Sequence, residues 1–492
     1  MGGDSMSEDA AVGQVTTKIP ARLDRLPWSR FHWMVVVGLG AVWILDGLEV
    51  TIVSVVAGVL TEEGSGLNLD PAQVGIAAGI YIAGACLGAL VFGQLTDRFG
   101  RKRLFLLTLA IYLAATALTA FSPNVWWFYI CRFLTGSGIG GEYAAINSAI
   151  DELIPARYRG RVDLAINGSY WLGAAFGAVM GIVALNPAFL PHDVGWRAAF
   201  ALGAVLGVVI LLVRRNLPES PRWLFIHGRA DKADEIVSDI ERRVEAEVAE
   251  LPEPDGSITV QQRKSVGFAL IAKSVFTLYP RRAVLGFSLF IGQAFLYNAV
   301  FFTYAVVLGT FYGVPGSSAP WYLIPFAIGN FLGPVMLGPL FDTVGRVQMI
   351  SGTYILSGAL LLITGQLFVA GVLTPVTQTV LWAIVFFFAS AGASSAYLTV
   401  SEIFPMETRA LCIAFFYAIG TAAGGISGPV LFGQLVATGE ASMINIGYVI
   451  GAALMAAAGV VELFLGVRAE RQTLEHVTKP LTAVEVVAPA SA

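Results

Sequence analysis

Apolar residues in this chain come in long, nearly unbroken blocks, not in the alternating or one-faced stripes of a water-soluble protein. A helix needs about 20 apolar residues to cross a bilayer. Blocks of that length fall near 32–60, 73–95, 104–122, 124–152, 162–184 and 197–213, and again near 283–312, 319–341, 348–369, 376–403, 409–437 and 443–467. About twelve membrane helices in two sets of six are therefore expected. Polar sequence separates the sets. Within it, between Arg229 and Glu250, Ile236, Val237, Ile240, Val244 and Val248 recur at helical spacing among charges, which predicts an amphipathic helix on the membrane surface. The run Leu251-Pro-Glu-Pro-Asp-Gly256 ends it. The expected order is a tail (1–31), a six-helix bundle (32–213), a linker (214–282), a second six-helix bundle (283–467) and a tail (468–492), an all-α membrane protein.

Charge placement orients the helices. Arg98, Arg101, Lys102 and Arg103 follow the second block, Arg157, Arg159 and Arg161 the fourth, and Arg214, Arg215, Arg222, Arg281 and Arg282 sit in the linker; Arg346 and Arg409 occupy equivalent later turns. The alternate loops near 61–70, 312–320, 370–376 and 437–443 lack Lys and Arg. By the positive-inside rule, both tails and the linker are expected in the cytoplasm, in a plasma membrane. Composition agrees: 13% of residues are charged, against about 25% in a soluble domain. The first thirty or so residues are too polar for a cleavable signal. Cys86, Cys131 and Cys412 form no CxxC pair, and the four histidines are scattered, so neither a disulfide framework nor a metal site is expected. With no P-loop and no Ser-His-Asp set, an ATP-driven pump or an enzyme is not expected, and no cofactor or nucleic-acid partner is implied.

The two halves repeat. Gly93-Gln-Leu-Thr-Asp97-Arg98-Phe-Gly100-Arg101 matches Gly338-Pro-Leu-Phe-Asp342-Thr-Val-Gly345-Arg346, each after the second block of its half. Glu152-Leu-Ile-Pro-Ala-Arg-Tyr-Arg159 matches Glu402-Ile-Phe-Pro-Met-Glu-Thr-Arg409, each after the fourth. Paired bundles with matching turns suit a transporter whose halves rock about a central site. Gly93 permits close helix approach and Gly100 a tight turn, while Asp97 at the membrane edge can pair across the seam between halves. This pattern resembles the major facilitator superfamily, with its G-x-x-x-D-R-x-G-R-[RK] signature, over about residues 32–467. Leu217-Pro-Glu219-Ser220-Pro221-Arg222-Trp-Leu224 is similar to the sugar porters and their organic-ion relatives; Ser220 reads as a helix N-cap and Pro221 as a first-turn proline.

Charges inside apolar blocks are functional candidates because they are expensive there. Asp46 and Glu49 are three apart on one helical face, and the fourth block holds Arg132 and Glu142. With a rise of about 1.5 Å per residue, Glu49 lies roughly 16 Å and Arg132 roughly 12 Å from the outer end, close enough in depth to pair. A carboxylate that alternates between an arginine and water can carry a coupling proton; the plainer reading is a static pair that fixes helix packing. Resemblance to sugar porters places their proton-carrying aspartate on Glu49 and their partner arginine on Arg132. Asp46 is similar to the Asp-Gly-x-Asp/Glu of aromatic-acid:proton symporters, and Gly140-Gly141-Glu142-Tyr143 to metabolite:proton and sialate symporters. Glu142, nearer the cytoplasm, is expected to join the gating charge network with Gly93, Asp97, Arg98, Gly100, Arg101, Glu152, Arg159, Glu219, Arg222, Asp342, Arg346, Glu402 and Arg409.

Polar side chains on otherwise apolar helices should face a central cavity. These are Asn167 and Tyr170, then Gln293, Tyr297, Asn298 and Tyr304, then the stripe Ser390, Ser394, Tyr397 and Ser401. Gln293 and Asn298 match the spacing of the sugar-porter Q-Q-x-x-G-x-N, but Gly292 and Leu296 depart from it, and the family's P-E-T-K-G after the last span is missing. The expected function is proton-coupled symport of a small polar metabolite, an organic acid or sugar-like compound. Its partners are the proton, the solute and the lipid bilayer, and the oligomeric state is open. The alternatives are an exporter working by proton antiport and a non-transporting nutrient receptor on the same scaffold.

Overall fold

A computed structural model describes residues 14–60, 64–69, 71–186, 188–214, 219–248, 251–254, 256–261, 273–314, 318–405 and 408–478; the side chains of some helical residues, Asp97 and Arg101 among them, lie outside the description. Six long helices form the first half: α2 (Arg30–Leu60), α3 (Pro71–Phe99), α4 (Arg101–Ala120), α5 (Val125–Leu153), α6 (Arg159–Ala184) and α7 (His192–Arg214). Six form the second: α10 (Pro280–Tyr312), α11 (Ala319–Thr343), α12 (Arg346–Val369), α13 (Pro375–Ile403), α14 (Arg409–Ala437) and α15 (Ala441–Leu465). Their ends fall within a few residues of the expected blocks. Ten contain a described stretch long and apolar enough to cross a membrane; the others are α7 and α5, which carries Arg132, Glu142 and Glu152.

Glycine lets these helices touch backbone to backbone. On α3 and α5, Gly84-x-x-x-Gly88 crosses Gly136-x-x-x-Gly140. A methyl group on Gly136 would sit 2.1 Å from the Tyr81 carbonyl oxygen, and one on Gly140 2.0 Å from that of Ala85. The matching crossing in the second half uses Gly333, 1.9 Å from the Phe387 carbonyl by the same construction. Close approach of this kind gives helices in lipid the contact that expelled water cannot provide. The halves meet along α6 against α11 and α3 against α14. The repeated glycines lie in these seams, Gly93 against Ala414 and Gly338 against the Arg161 backbone. Gly100 (φ +97°) and Gly345 (φ +123°) make the left-handed turns that start α4 and α12.

The linker is more tied down than a helix lying on lipid. Ser220 caps α8 (Pro221–Ile226) by accepting from the Trp223 amide, as its sequence predicts. The amphipathic helix α9 (Ala230–Glu245) buries Val237, Ile240 and Val244 against protein, packing on α8 and on the N-terminal helix α1 (Ile19–Asp24). Arg22 (2.5 Å) and Arg25 (2.6 Å) both bind Glu241, and Arg22 also pairs with Asp234. Burial alone raises the Glu241 carboxyl, but the two guanidiniums outweigh it and hold the group below its usual range. The clasp is therefore intact at neutral pH and is lost only as acid protonates Glu241. A two-stranded antiparallel ribbon, β1 (Gln14–Thr17) with β2 (Ile258–Gln261), adds a second tether between tail and linker. The sequence does not announce it, because each strand is only four residues long.

The glycine crossing makes a direct prediction. Gly136→Val and Gly140→Val force α3 and α5 apart, at a typical overpacking cost of about 1–3 kcal/mol each. Gly352→Ala, where an added carbon meets nothing within 4 Å, is the neutral control. Thermal unfolding in detergent should show lower midpoints for the valine variants alone; wild-type midpoints would contradict the crossing.

Candidate functional site

The helices line a cavity of about 190 Å³ between the halves, with α2, α3, α5 and α6 on one side and α10, α13 and α14 on the other. All seven residues expected to face substrate lie in its wall: Asn167, Tyr170, Gln293, Tyr297, Asn298, Ser394 and Tyr397. Ser390 joins them, whereas two residues of the anticipated polar stripes do not. Tyr304 packs against Trp382 and approaches the Thr379 hydroxyl at 3.5 Å, and Ser401 bonds back to its own helix.

Nine of the twenty described lining residues are aromatic, including Trp43, Tyr81, Tyr143, Trp171 and Tyr417, which sequence reasoning missed. Trp43 stacks on Tyr143 with centroids 4.6 Å apart and planes at 11°, and Tyr170 and Tyr397 meet its edges. Trp171 crosses the seam to Tyr297 and Phe301 of the other half. Such rings sit in apolar helices, where sequence alone reads them as core. The retrievable signal was the spacing Trp43–Asp46–Val50, which puts an aromatic on the helical face of the buried carboxylate.

Beside this cavity, Glu49 and Arg132 form a fully buried ion pair at 2.9 Å. The same guanidinium nitrogen reaches Thr119 (3.2 Å) and Thr135 (3.3 Å), and the group lies over the rings of Phe200 and Phe128. Glu49 is the neighbour of Val50, a cavity residue, so the pair adjoins the wall without lining it. Asp46 is fully buried one turn earlier. Breaking such a pair by removing one partner typically costs about 3–5 kcal/mol, because the other charge stays buried.

A second cluster joins the two halves at the arginine-rich face. Asp342, at the end of α11, accepts from the backbone amides of Gly160 (3.1 Å) and Arg161 (2.9 Å) at the start of α6. A carboxylate of one half thus sits on the positive helix end of the other. Arg346 binds Asp342 (2.9 Å) and Glu402 (3.0 Å). Arg159 reaches across to Glu402 at 3.8 Å and back to Asp24 at 3.4 Å, and Arg222 also approaches Asp24. Asp24, in the N-terminal tail, went unnoticed because nothing in its sequence context marks it.

Glu152 accepts from Ser220, and Arg409 donates to the Ser401 carbonyl at 2.6 Å. Glu219 takes the Lys102 amide at 3.2 Å, and in the second half Glu470 takes the Arg346 amide at 3.4 Å. Glu470 thus holds in the second half the position that Glu219 holds in the first. Arg98 is exposed and rests over the Phe99 ring, apart from this cluster. Glu142 is buried ten residues before Glu152 on α5, deeper in the first half than the face cluster. The gating positions Asp97 and Arg101 fall among the side chains outside the description.

The chain matches the Sugar (and other) transporter family over residues 36–479. It is 29% identical to the niacin transporter NiaP of Acinetobacter baylyi over 93% of this chain and 99% of that protein. It is 27% identical to the 4-hydroxybenzoate transporter PcaK of the same organism, over 84% and 87%. Among solved structures, the proton:xylose symporter XylE of the major facilitator superfamily, bound to 6-bromo-6-deoxy-D-glucose, superposes with a TM-score of 0.72 at 19% identity, covering 90% of this chain and 98% of that one.

The face cluster predicts a conformational effect. Asp342→Asn keeps the shape and removes the charge that seals α11 to α6, shifting the balance toward opening of that face by roughly tenfold, about 1.4 kcal/mol. Spin labels at exposed Arg103 and Val344 should show a larger long-distance population in the variant; an unchanged distribution would contradict the seal.

Proposed function

Because the chain belongs to the sugar (and other) transporter family of the major facilitator superfamily, we propose that it is a proton symporter for a small aromatic acid. The aromatic wall of the cavity carries this reading. Nine rings around about 190 Å³ offer stacking and edge contacts to a single-ring solute, while Gln293 and Asn298 supply hydrogen bonds to its polar substituent. The names of two relatives point the same way, since niacin and 4-hydroxybenzoate are both one-ring carboxylates.

The arginine-rich face, both tails and the linker lie in the cytoplasm and the protein resides in the plasma membrane, an orientation supported by the placement of basic residues. With the cluster around Asp342 and Glu402 intact, the cavity is closed to the cytoplasm. Rocking of the halves along the α6–α11 and α3–α14 seams breaks that cluster and opens the cavity inward.

Glu49 carries the coupling proton. While ionised it binds Arg132 and joins α2 to α5. Protonation removes that attraction and lets α2, which contributes Trp43 and Val50 to the wall, settle differently against the bound solute. Asp46, one turn away on the same helix, is the second candidate for this role.

Two outcomes test the reading. In proteoliposomes, an inward proton gradient should drive accumulation of labelled 4-hydroxybenzoate or nicotinate, a protonophore should abolish it, and labelled xylose and succinate should not accumulate. Xylose or succinate uptake with no aromatic uptake would overturn the substrate assignment. Glu49→Gln should retain exchange of the aromatic acid without a gradient yet lose gradient-driven accumulation. If Glu49→Gln still concentrates substrate and Asp46→Asn does not, the proton belongs to Asp46.

A further inference from the structure

Asp24 lies in the N-terminal tail, outside both repeats, yet its carboxylate reaches the cluster that joins the halves. One oxygen accepts from the Ala156 amide at 3.2 Å and lies 3.4 Å from the Arg159 guanidinium; the other lies 3.5 Å from Arg222. These three partners belong to the first half and to the linker that follows it. The tail is held in place from two sides. Leu26 gives its carbonyl to Arg157 at 2.9 Å, while Arg22 and Arg25 bind Glu241 of α9. Leu23 and Leu26, which flank Asp24 and Arg25, are buried.

Arg159 is shared between two carboxylates. Its side chain is 1% exposed, with one terminal nitrogen 3.4 Å from Asp24 of its own half and the other 3.8 Å from Glu402 of the opposite half. Glu402 is held more tightly within its own half, where Arg346 donates from Nε and Nη2 to its two oxygens at 3.0 Å each. When the halves part, Glu402 therefore leaves with Arg346. Arg159 then loses Glu402 and also the carbonyl of Gln472 in the C-terminal tail, which it meets at 3.3 Å. A buried charge that loses its partner is costly. Asp24 stays with Arg159, because its other contacts lie on the same side of the seam.

We infer that Asp24 is a positioning residue for the rocking step: it keeps Arg159 paired when the halves part, and competes with Glu402 for the same guanidinium while they are joined. Two carboxylates at one face thus act with opposite sign. Asp342 stabilises the joined face by accepting from amides of the other half. Asp24 stabilises the parted face by holding an arginine within its own half. Removing the Asp24 charge leaves Arg159 to Glu402 and makes parting harder, although the cluster has lost a carboxylate. This inference rests on the rocking of the halves proposed above and is independent of the solute.

The test uses full-length protein in lipid nanodiscs, spin-labelled at Arg103 and Val344. Asp24→Asn removes the charge and keeps an acceptor for the Ala156 amide. Added to Asp342→Asn, which raises the parted population, it should lower the ratio of parted to joined protein by about fivefold, within the range of coupling between neighbouring groups. Asp24→Glu, which retains the charge, should leave the ratio near that of Asp342→Asn alone. With Arg159→Gln also present, Asp24→Asn should have no further effect, because the guanidinium for which the two carboxylates compete is gone. A ratio that stays the same or rises with Asp24→Asn, or a fall that persists alongside Arg159→Gln, would overturn this role for Asp24 while the rocking reading stood. Absence of a long-distance population in every variant would overturn both.

Discussion

Hydrocarbon offers a polypeptide no water with which to satisfy a polar group. Nearly everything in this molecule follows from that constraint. It makes helices the spanning element, and it makes glycine, at Gly84, Gly88, Gly136 and Gly140, the residue that joins them, because packing in lipid depends on contact. It also requires each charge placed in the interior to be met by a partner. The Glu49–Arg132 pair and the Asp342–Arg346–Glu402 cluster are the two places where the chain carries that burden most heavily.

Those two places divide the work. The cluster at the arginine-rich face is built across the seam: Asp342 of one half rests on the amides of Gly160 and Arg161 of the other. Contacts between rigid bundles can be made and broken as units, which suits a switch. The Glu49–Arg132 pair lies wholly within the first half, so rocking of the halves does not itself break it. In the proposed mechanism its state is set instead at the neighbouring cavity, where α2 contributes Trp43 and Val50. On that proposal, the proton site inside one bundle and the contact between the two communicate through the shared wall.

The sequence exposed most of this arrangement because membrane burial leaves strong marks. Apolar blocks gave the helix ends within a few residues, and the repeated Gly, Asp, Gly and Arg pointed to the seam where Gly93 and Gly338 are found. The buried pair was legible from helical rise, which puts two opposite charges of neighbouring helices at similar depth. The aromatic wall was not: Trp43, Tyr81, Tyr143, Trp171 and Tyr417 occur in apolar helices, and only the fold separates a ring facing a cavity from one facing a core. Asp24 and Glu470 escaped notice for a related reason. Each lies in a polar tail where acidic residues are ordinary, and its importance arises from a contact more than a hundred residues away, at Arg159 and Arg346 respectively.

The central claim is that the aromatic cavity between the halves is where the transported ring binds. A structure of the protein determined with saturating 4-hydroxybenzoate tests it most directly. The account predicts density for one ring among Tyr170, Trp171 and Tyr297, with its carboxyl group beside Gln293 and Asn298. An empty cavity under those conditions, with the ligand held elsewhere on the protein, would contradict it.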